Sequence, residues 1–453
     1  MFKVNELLAA TGGRLISGKK DAAVKGISID SRTVKPAEAF IAIKGDNFDG
    51  HNFIIEAVRK GSGCIIAENR VKGLESRNTV FIEVKDTIKA LGDIARYHRQ
   101  NFNIPIIAIT GSTGKTTTKE MASWVLAGSY KVLKNEGTEN NHIGLPLTIL
   151  RLDNTYNFAV LELGTNHPKE MEYLAGIAQP NVAIITNIGP AHLEHFGNLE
   201  GVLKEKYSLV GNLKKPYIAI LNIDCPLLGK KIKDEKKEGV IFTFGINNAA
   251  DFQAQGVRIK NGKIEFLLNK KNKFRLKALG SGFTYNALAA AALGRISGLG
   301  YKEIIERLRS FSFPQGRLNL LEVNRIRFID DTYNSNPASL KQALEAMANL
   351  RTEGRKIFVM GDMLELGSDE GAFHRQAVKD ASRVCDIFIT VGSLTNAAIE
   401  SIKSSGLSFQ KIFNCKSSSD ARDILFKEIG PKQGDVVLVK GSRAMKMEEI
   451  FKI

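Results

Sequence analysis

Cysteine is scarce in this 453-residue chain: Cys64, Cys225, Cys385 and Cys415 are the four, and no two of them form a Cys-x-x-Cys pair. Neither a zinc site nor a disulfide framework is therefore expected, and isolated thiols fit a reducing compartment. No run of about 18 apolar residues occurs, which excludes a membrane-spanning helix. The opening, "MFKVNELLAATGG", has no signal-peptide apolar run, so the expected location is cytoplasmic. Repeats, low-complexity linkers and blocks of like charge are absent too. Lys and Arg nevertheless outnumber Asp and Glu by 64 to 48, a net charge of +16. That surplus favours anionic partners such as nucleotides, polycarboxylates or nucleic acid, and it fits a generally basic solvated surface equally well.

Length predicts two to four domains, and the apolar fraction of 43% can fill several cores. Three regions differ in texture. In residues 1–85, short strand-like runs ("VKGISID", "AFIAIKG", "CIIAE") deliver polar loops and "FIIEAVRKG" reads as a helix, predicting a small α/β unit. In residues 86–313, the helical "DTIKALGDIARYHRQ" precedes buried-type runs "IPIIAIT", "FAVLELG", "VAIITNI" and "YIAILN". Such runs, alternating with helices, predict a parallel sheet covered on both faces. A β-rich segment with an Asn261-Gly262 turn and an alanine-rich helix, "TYNALAAAALGRISG", complete the region. In residues 314–453, "RKIFVMG", "CDIFITVG", "KIFNC" and "DVVLVKG" alternate with helical segments, a doubly wound pattern. The expected fold class is α/β, in three domains.

"AITGSTGKTTTKE" (108–120) has the character of a phosphate loop but breaks the spacing Gly-x-x-x-x-Gly-Lys-[Ser/Thr], since Ile109 stands where the first glycine belongs. A strand, 106–109, precedes it and a helical segment, 118–126, follows. Gly111 and Gly114 would turn backbone N–H groups around an anion, aided by the helix dipole. Lys115 would reach the terminal phosphates, and the Thr116 hydroxyl would hold Mg2+. The competing reading is a turn that binds nothing, and the strand–loop–helix order weighs against it.

Two weaker signals lie at the ends of the next strands. Glu162 interrupts an apolar strand, and His192 sits in the loop "TNIGPAHLEHFG". Together they could ligate a divalent metal, although each alone also reads as an ordinary solvated or hydrogen-bonded residue. A third signal is Lys206. In "LEGVLKEKYSLV" (199–210), helical spacing puts Leu199, Val202, Leu203 and Val210 on one face with Lys206 in its middle, while Glu200, Lys204 and Ser208 point elsewhere. Such a lysine either snorkels or is kept neutral by burial and can take up CO2 as a carbamate. Both readings stand at this point.

These stretches together resemble the Mur ligases, ATP-dependent amide-forming enzymes of peptidoglycan synthesis. The resemblance runs through "DSRTVKPAEAFIAIKGDNFDGHNF", "GSTGKTTTKE", "NNHIGLPLTIL", "LELGTNHPKEM", "NIGPAHLEHFG", "GRLN", "DDTYNSNP", "GDMLELG" and "VLVKGSRAMKME", nearly the whole chain. "GDMLELG" and the "KGDNFDGHNF" loop are most similar to the branch that joins D-alanyl-D-alanine to UDP-N-acetylmuramoyl-tripeptide. The resemblance implies an N-terminal UDP-sugar-binding domain, a central phosphate-loop ATPase and a C-terminal Rossmann-like domain, and it makes Gly-x-x-Gly-Lys-Thr the family's own form of the loop.

What the resemblance implies for residues is specific. ATP would be bound by Gly111, Ser112, Thr113, Gly114, Lys115, Thr116 and Thr117, with Asn286 near the adenine. Arg317, Asp331, Tyr333 and Asn334 would complete the nucleotide site when domains close. Mg2+ would rest on Thr116 and Glu162, with a second ion on His192 and a carbamate carried by Lys206. Lys115, Lys206 and His192 would be the catalytic set. Ser31, Arg32, Lys44, Gly45, Asp49, Gly50 and His51 match the UDP-sugar site, Asn140 and Asn141 the muramoyl-peptide side, and Lys440 and Arg443 a substrate or closure role. A monomer without nucleic-acid partner is implied. Two departures touch local contacts: Gly282-Phe283 replace the family's His-Asn, and Asn135 and Thr138 exchange the family's Thr and Asn. Other readings are a folylpolyglutamate synthase, disfavoured by the N-terminal domain, and the Mur ligase adding the third amino acid, disfavoured by "GDMLELG". A nucleic-acid-binding NTPase lacks any RNA-binding motif or basic stripe with interleaved aromatics.

Overall fold

The computed structural model describes residues 2–45, 48–69, 79–234, 239–260, 262–402 and 407–452. Asp46 and Asn47 of the Lys44–His51 loop, and Asn261 of the expected hairpin turn, lie outside the described residues.

In the N-terminal region five strands pair in the order Arg14–Ser17, Val80–Glu83, Cys64–Ala67, Ala39–Ile41, Ile27–Ser28. All pair in parallel except the edge strand Arg14–Ser17. The alternation of strand side chains decides what covers each face. Ile41, Ile66 and Ile82 meet Val4 and Leu7 of one helix and Leu91 and Ile94 of another. Phe40, Ile65 and Phe81 meet Ile54 and Ala57. "VKGISID" does not form one strand. Ala23–Val24 pairs with Phe2–Lys3 and Ile27–Ser28 pairs with Ala39–Phe40, so the chain changes sheets at Lys25-Gly26.

The central sheet has nine strands, in the order Asn272–Leu276, Lys263–Leu268, Phe252–Lys260, Val240–Gly245, Ile218–Asn222, Val182–Ile185, Ile106–Thr110, Phe158–Glu162, Val132–Lys134. Its body is parallel, and the 252–276 segment extends it as antiparallel ribbons. The strand Ile106–Thr110 is fully buried between two neighbours. Ile107 and Ile109 belong to the cluster with Met121 and Val125, and Ile106 and Ala108 to the cluster with Leu145, Leu174 and Leu209. Each such side chain contributes roughly 1.5–3 kcal/mol by leaving water. The strand end that carries the phosphate loop is thereby fixed from both faces.

The alanine-rich helix, Gly282–Ile296, lies against the helix Lys115–Leu126. Small side chains permit the close approach: a Cβ on Gly294 would sit 2.8 Å from Val125 Cγ1 and 3.1 Å from Ile304 Cδ1.

The C-terminal sheet has six strands, ordered Asn319–Val323, Ile326–Asp331, Val436–Lys440, Lys356–Gly361, Ile387–Val391, Lys411–Cys415, parallel apart from the first pair. Helices cover both faces, as the doubly wound pattern predicts. One of its clusters, with Leu340, Leu344 and Phe358, is continuous with the central core through Leu279, Phe283 and Leu318.

Gly294→Val is expected to lower stability by roughly 1–3 kcal/mol through overpacking, read as a drop in the thermal unfolding midpoint. An unchanged midpoint would show that the two helices can separate without cost.

Candidate active site

The helix after the phosphate loop begins at Lys115, three residues earlier than the sequence reading placed it. The threonine run 116–118 is β-branched and reads poorly as helix. Gly114 nevertheless starts the helix from a left-handed conformation, φ 79°. Gly111 is also at positive φ, 145°, and any Cβ there would lie 2.0 Å from Thr186 Oγ1. Both glycines are therefore demanded by backbone conformation and by space.

The loop is clamped by the strand end of Val182–Ile185. Ser112 N–H donates to Asn187 O (3.0 Å) and Thr113 N–H to Asn187 Oδ1 (3.0 Å). Ser112 Oγ donates to Gly189 O, and Asn187 Nδ2 to Thr113 Oγ1. The amides of Ser112 and Thr113, expected to turn inward with the rest of the loop, are thus committed to Asn187. The N–H groups at the helix start, which have no intrahelical acceptor, remain to meet an anion. Lys115 Nζ donates to Gly111 O at 2.9 Å, curling over the loop. Burial lowers the Lys115 pKa, with Glu162 opposing and Arg317 adding to the effect.

Glu162 is 2% exposed at the end of its strand. Its backbone is pinned by Asn135, which accepts from Glu162 N–H (2.9 Å) and donates to Glu162 O (3.0 Å). Lys119, fully buried on the phosphate-loop helix, donates to Asn135 O at 2.6 Å and pairs with Glu120 at 2.9 Å. Asn140 Nδ2 donates to Glu162 Oε1 at 2.8 Å. The other carboxylate oxygen, Oε2, is buried with no hydrogen-bond partner.

Lys206 is fully buried in the helix Leu199–Gly211, and its Nζ likewise has no hydrogen-bond partner. Phe196 presents its ring 5.9 Å from Nζ. Burial lowers its pKa to about 7, helped by the Lys115 charge and opposed by Glu205 and Glu170. The snorkelling reading fails, because the amine does not reach water. The face differs from the sequence reading in detail: Leu199 is 40% exposed and Glu205 is buried. Glu205 can be buried because it accepts from the N–H groups of Lys169 (2.8 Å) and Met171 (2.7 Å) at the start of a neighbouring helix.

His192 has a left-handed backbone, φ 52°. Its Nδ1 lies 2.6 Å from Glu365 Oε2, an ion-pair distance, although the N–H is not aligned as a hydrogen bond. The contact with His192 holds the Glu365 carboxyl below the usual range.

From the C-terminal region, Arg317 Nη2 donates to Thr116 Oγ1 at 3.0 Å, and its guanidinium lies 3.6 Å from the Tyr333 ring centroid. Asp331 accepts from buried Lys440 Nζ at 2.5 Å, which also donates to Asn334 O at 2.9 Å. Burial lowers the Lys440 pKa and Asp331 opposes it. Lys440 thus shapes the 331–334 segment from within. Arg443 is exposed and pairs with Glu448. Asn286 Nδ2 donates to Thr118 Oγ1 (2.8 Å) and Gly114 O (3.3 Å), so its amide braces the start of the phosphate-loop helix.

The remaining expected residues lie in the N-terminal sheet's loops and beside Glu162. Ser31 Oγ donates to Glu56, and Arg32 forks onto Asp30. The backbones of Lys44 and Asp49 form an isolated antiparallel β-bridge, Gly45 N–H donates to Phe48 O, and Gly50 N–H to Ile43 O. His51 Nδ1 contacts Asp49 Oδ1 at 2.7 Å within the loop, and its Nε2 accepts at 3.1 Å from the N–H of Glu68, just past the strand Cys64–Ala67. Asn141 Oδ1 accepts from the N–H groups of Ile143 (3.1 Å) and Gly144 (2.9 Å) where the chain enters the Gly144–Ile149 helix.

Glu162 Oε2 and Lys206 Nζ are buried polar atoms without partners, and such atoms call for a ligand; Glu365 stands against Nδ1 of His192, which leaves Nε2 of that ring to ligate. Among the described residues no group of three His, Cys, Asp or Glu side chains forms a complete metal site. The donor set fits an ion such as Mg2+, which is held through one or two carboxylates and takes its other ligands from phosphate and water. Asn135→Ala is expected to cost roughly 1–3 kcal/mol, because the buried Glu162 N–H loses its acceptor. It is also expected to weaken nucleotide binding measured with Mg2+ by calorimetry. Binding and stability both at wild-type level would deny Asn135 its clamping part.

The chain is similar to known proteins over nearly its whole length. Three family models match in succession: "Mur ligase family, catalytic domain" on residues 23–99, "Mur ligase middle domain" on 109–294, and "Mur ligase, glutamate ligase domain" on 316–443. The UDP-N-acetylmuramoyl-tripeptide–D-alanyl-D-alanine ligase of Bacillus subtilis is 34% identical, over 95% of this chain and 93% of its own. The Escherichia coli enzyme of the same name is 33% identical, over 95% and 94%. A crystal structure of MurF from Acinetobacter baumannii superimposes with a TM-score of 0.90 at 31% identity, covering 100% of this chain and 98% of that one. MurF ligase from Thermotoga maritima in complex with ADP gives 0.83 at 30% identity, covering 96% and 98%. With loop, acidic strand end and buried lysine in one fold, and likeness across nearly its whole length, the chain belongs to the Mur ligase family.

Proposed function

We propose that this protein is the ATP-dependent ligase that joins D-alanyl-D-alanine to UDP-N-acetylmuramoyl-tripeptide, giving the UDP-muramoyl-pentapeptide, ADP and phosphate in peptidoglycan precursor synthesis. The observation that carries the chemistry is the set of unpartnered buried atoms, Glu162 Oε2 and Lys206 Nζ, beside a phosphate loop that Arg317 reaches from the C-terminal sheet. The near-full-length likeness to ligases of that name carries the substrates.

A carboxylate is a poor acyl donor, so it must first take a phosphoryl group. Its oxygen attacks the γ-phosphorus of ATP and ADP leaves. The amine of the dipeptide then attacks the acyl carbon, loses a proton, and the tetrahedral intermediate expels phosphate. The physical obstacle is anion meeting anion. Lys115 and the N–H groups at the helix start offset charge on the phosphates, and Arg317 adds a cation when the C-terminal unit is closed. Mg2+, when bound, shields the transferring phosphoryl group; Thr116 and Glu162 would hold one ion, and His192 with the Lys206 carbamate a second. Lys206, with its pKa near neutrality, has a neutral amine available to attack the carbon of CO2, releasing a proton and forming a carbamate. That turns a buried cation into an anion that suits the second ion, beside His192. The N-terminal loops around Ser31, Arg32 and Lys44–His51 would bind the UDP-sugar, and Asn140, beside Glu162, would face the peptide. The working divisions are 1–85, 86–313 and 314–453, and the protein acts as a cytoplasmic monomer.

Phosphate release from ATP is expected to require both UDP-N-acetylmuramoyl-tripeptide and D-alanyl-D-alanine, with a new amide found by mass. Release with a folate or a single amino acid instead would keep the loop and overturn the substrates. Lys115→Ala is expected to lower turnover by roughly 100-fold or more, and near-normal activity would refute the loop assignment. Lys206→Ala should cripple turnover in a way that acetate partly restores. Full activity without acetate would remove the carbamate from the reading.

A further inference from the structure

The "GDMLELG" loop, 361–367, has no part in the chemistry above, yet it reaches across to the catalytic side of the central sheet. Its own frame is rigid. Asp362 Oδ1 accepts from Thr395 N–H (2.8 Å) and Oγ1 (2.6 Å), Met363 N–H donates to His374 Nε2 (2.9 Å), and Leu364 N–H donates to Ser442 Oγ (2.9 Å). Three successive residues are thus anchored to the C-terminal sheet and its helices. The next residue, Glu365, takes a left-handed backbone, φ 64°, and its carboxylate lies 2.6 Å from His192 Nδ1. His192 is itself left-handed, φ 52°. Non-glycine residues in this conformation each carry a backbone cost, and such residues cluster where geometry is over-determined for function. Here two of them meet side chain to side chain across the boundary between two sheets. Gly367 then packs on the turn that follows His192: a Cβ there would lie 3.3 Å from Glu194 N.

A histidine that ligates a metal through one ring nitrogen needs its other nitrogen fixed, and a carboxylate is a common partner for that. We infer that Glu365 is a positioning residue: the C-terminal unit brings its carboxylate to His192 Nδ1, fixes the ring with Nε2 left as the ligating nitrogen, and so completes the metal site only when the two units are closed. The inference rests on the reading of His192 as a metal ligand. It gives the "GDMLELG" stretch a task and ties metal affinity to closure. Glu365 serves this part without structural debt elsewhere, since its side chain is half exposed.

The test uses the full chain with Mn2+ as probe, followed by electron paramagnetic resonance, in the presence of a non-hydrolysable ATP analogue and UDP-N-acetylmuramoyl-tripeptide. Glu365→Ala is expected to weaken Mn2+ binding by roughly 10–100-fold. It should lower kcat by a similar factor, with KM for ATP and the thermal midpoint nearly unchanged. Glu365→Gln, whose amide oxygen keeps an acceptor within reach of Nδ1–H, is expected to recover most of both. Wild-type Mn2+ affinity and kcat in Glu365→Ala would overturn the inference, as would Glu365→Gln performing no better than Glu365→Ala. His192→Ala separates the two levels. If it weakens Mn2+ binding while Glu365→Ala does not, the inference alone falls. If it leaves Mn2+ binding intact, the ligand reading of His192 falls and the inference falls with it.

Discussion

A carboxylate oxygen left dry and unpaired inside a protein is costly, and Glu162 Oε2 is such an oxygen. Much of the surrounding structure exists to hold it there. Asn135 ties the Glu162 backbone on both sides, Lys119 ties Asn135 to the phosphate-loop helix, and Asn140 takes the other carboxylate oxygen. These residues leave one oxygen, and only one, for an outside cation. Lys206 is the complement: an amine with no partner, kept from water by the same core. A site built this way is incomplete by construction, and a bound ion and a carbamate would discharge both deficits at once.

Legibility followed sequence distance. The phosphate loop could be read directly because its glycines, lysine and threonine act within a few residues of one another. Glu162 was visible as an acid in an apolar strand, and Lys206 as a cation on an apolar stripe, although spacing could not decide between a snorkelling lysine and a buried one. The three regions were readable because buried parallel strands are continuous apolar runs. Asn135 drew notice only as a departure from the family pattern, whereas the structure makes it the clamp on Glu162, 27 residues away. Asn187 acts on Thr113 across 74 residues and Glu205 on Met171 across 34. No local pattern announces such partners. Lys119 was hidden in a helix where a lysine is ordinarily solvated, and Glu365 in a motif whose role was not apparent from the residues.

Closure is visible as specific contacts. Arg317 on Thr116, Ser281 on Glu345 and His192 on Glu365 all join the central and C-terminal regions. Behind them the apolar core runs without a break through Leu279, Phe283 and Leu318. Phe283, one of the two departures from the family pattern, packs on Phe313 with ring centroids 4.4 Å apart, so its substitution serves this seam. Arg317 and Glu365 make their contacts at the phosphate loop and at His192, whereas Ser281–Glu345 lies within the apolar seam itself, between Leu279 and Phe283.

The bracing of the phosphate loop also has a consequence for synthesis on the ribosome. The loop strand is enclosed by strands that end at Glu162 and Ile185, and the loop itself is tied to Asn187. Asn286, 172 residues beyond Gly114, then steadies the start of its helix, and Arg317 arrives 201 residues after Thr116. A nascent chain that has exposed the motif has therefore not yet made its braces. The braces are complete only once Arg317 has been made, so a product truncated before it carries the motif without the contacts that steady it.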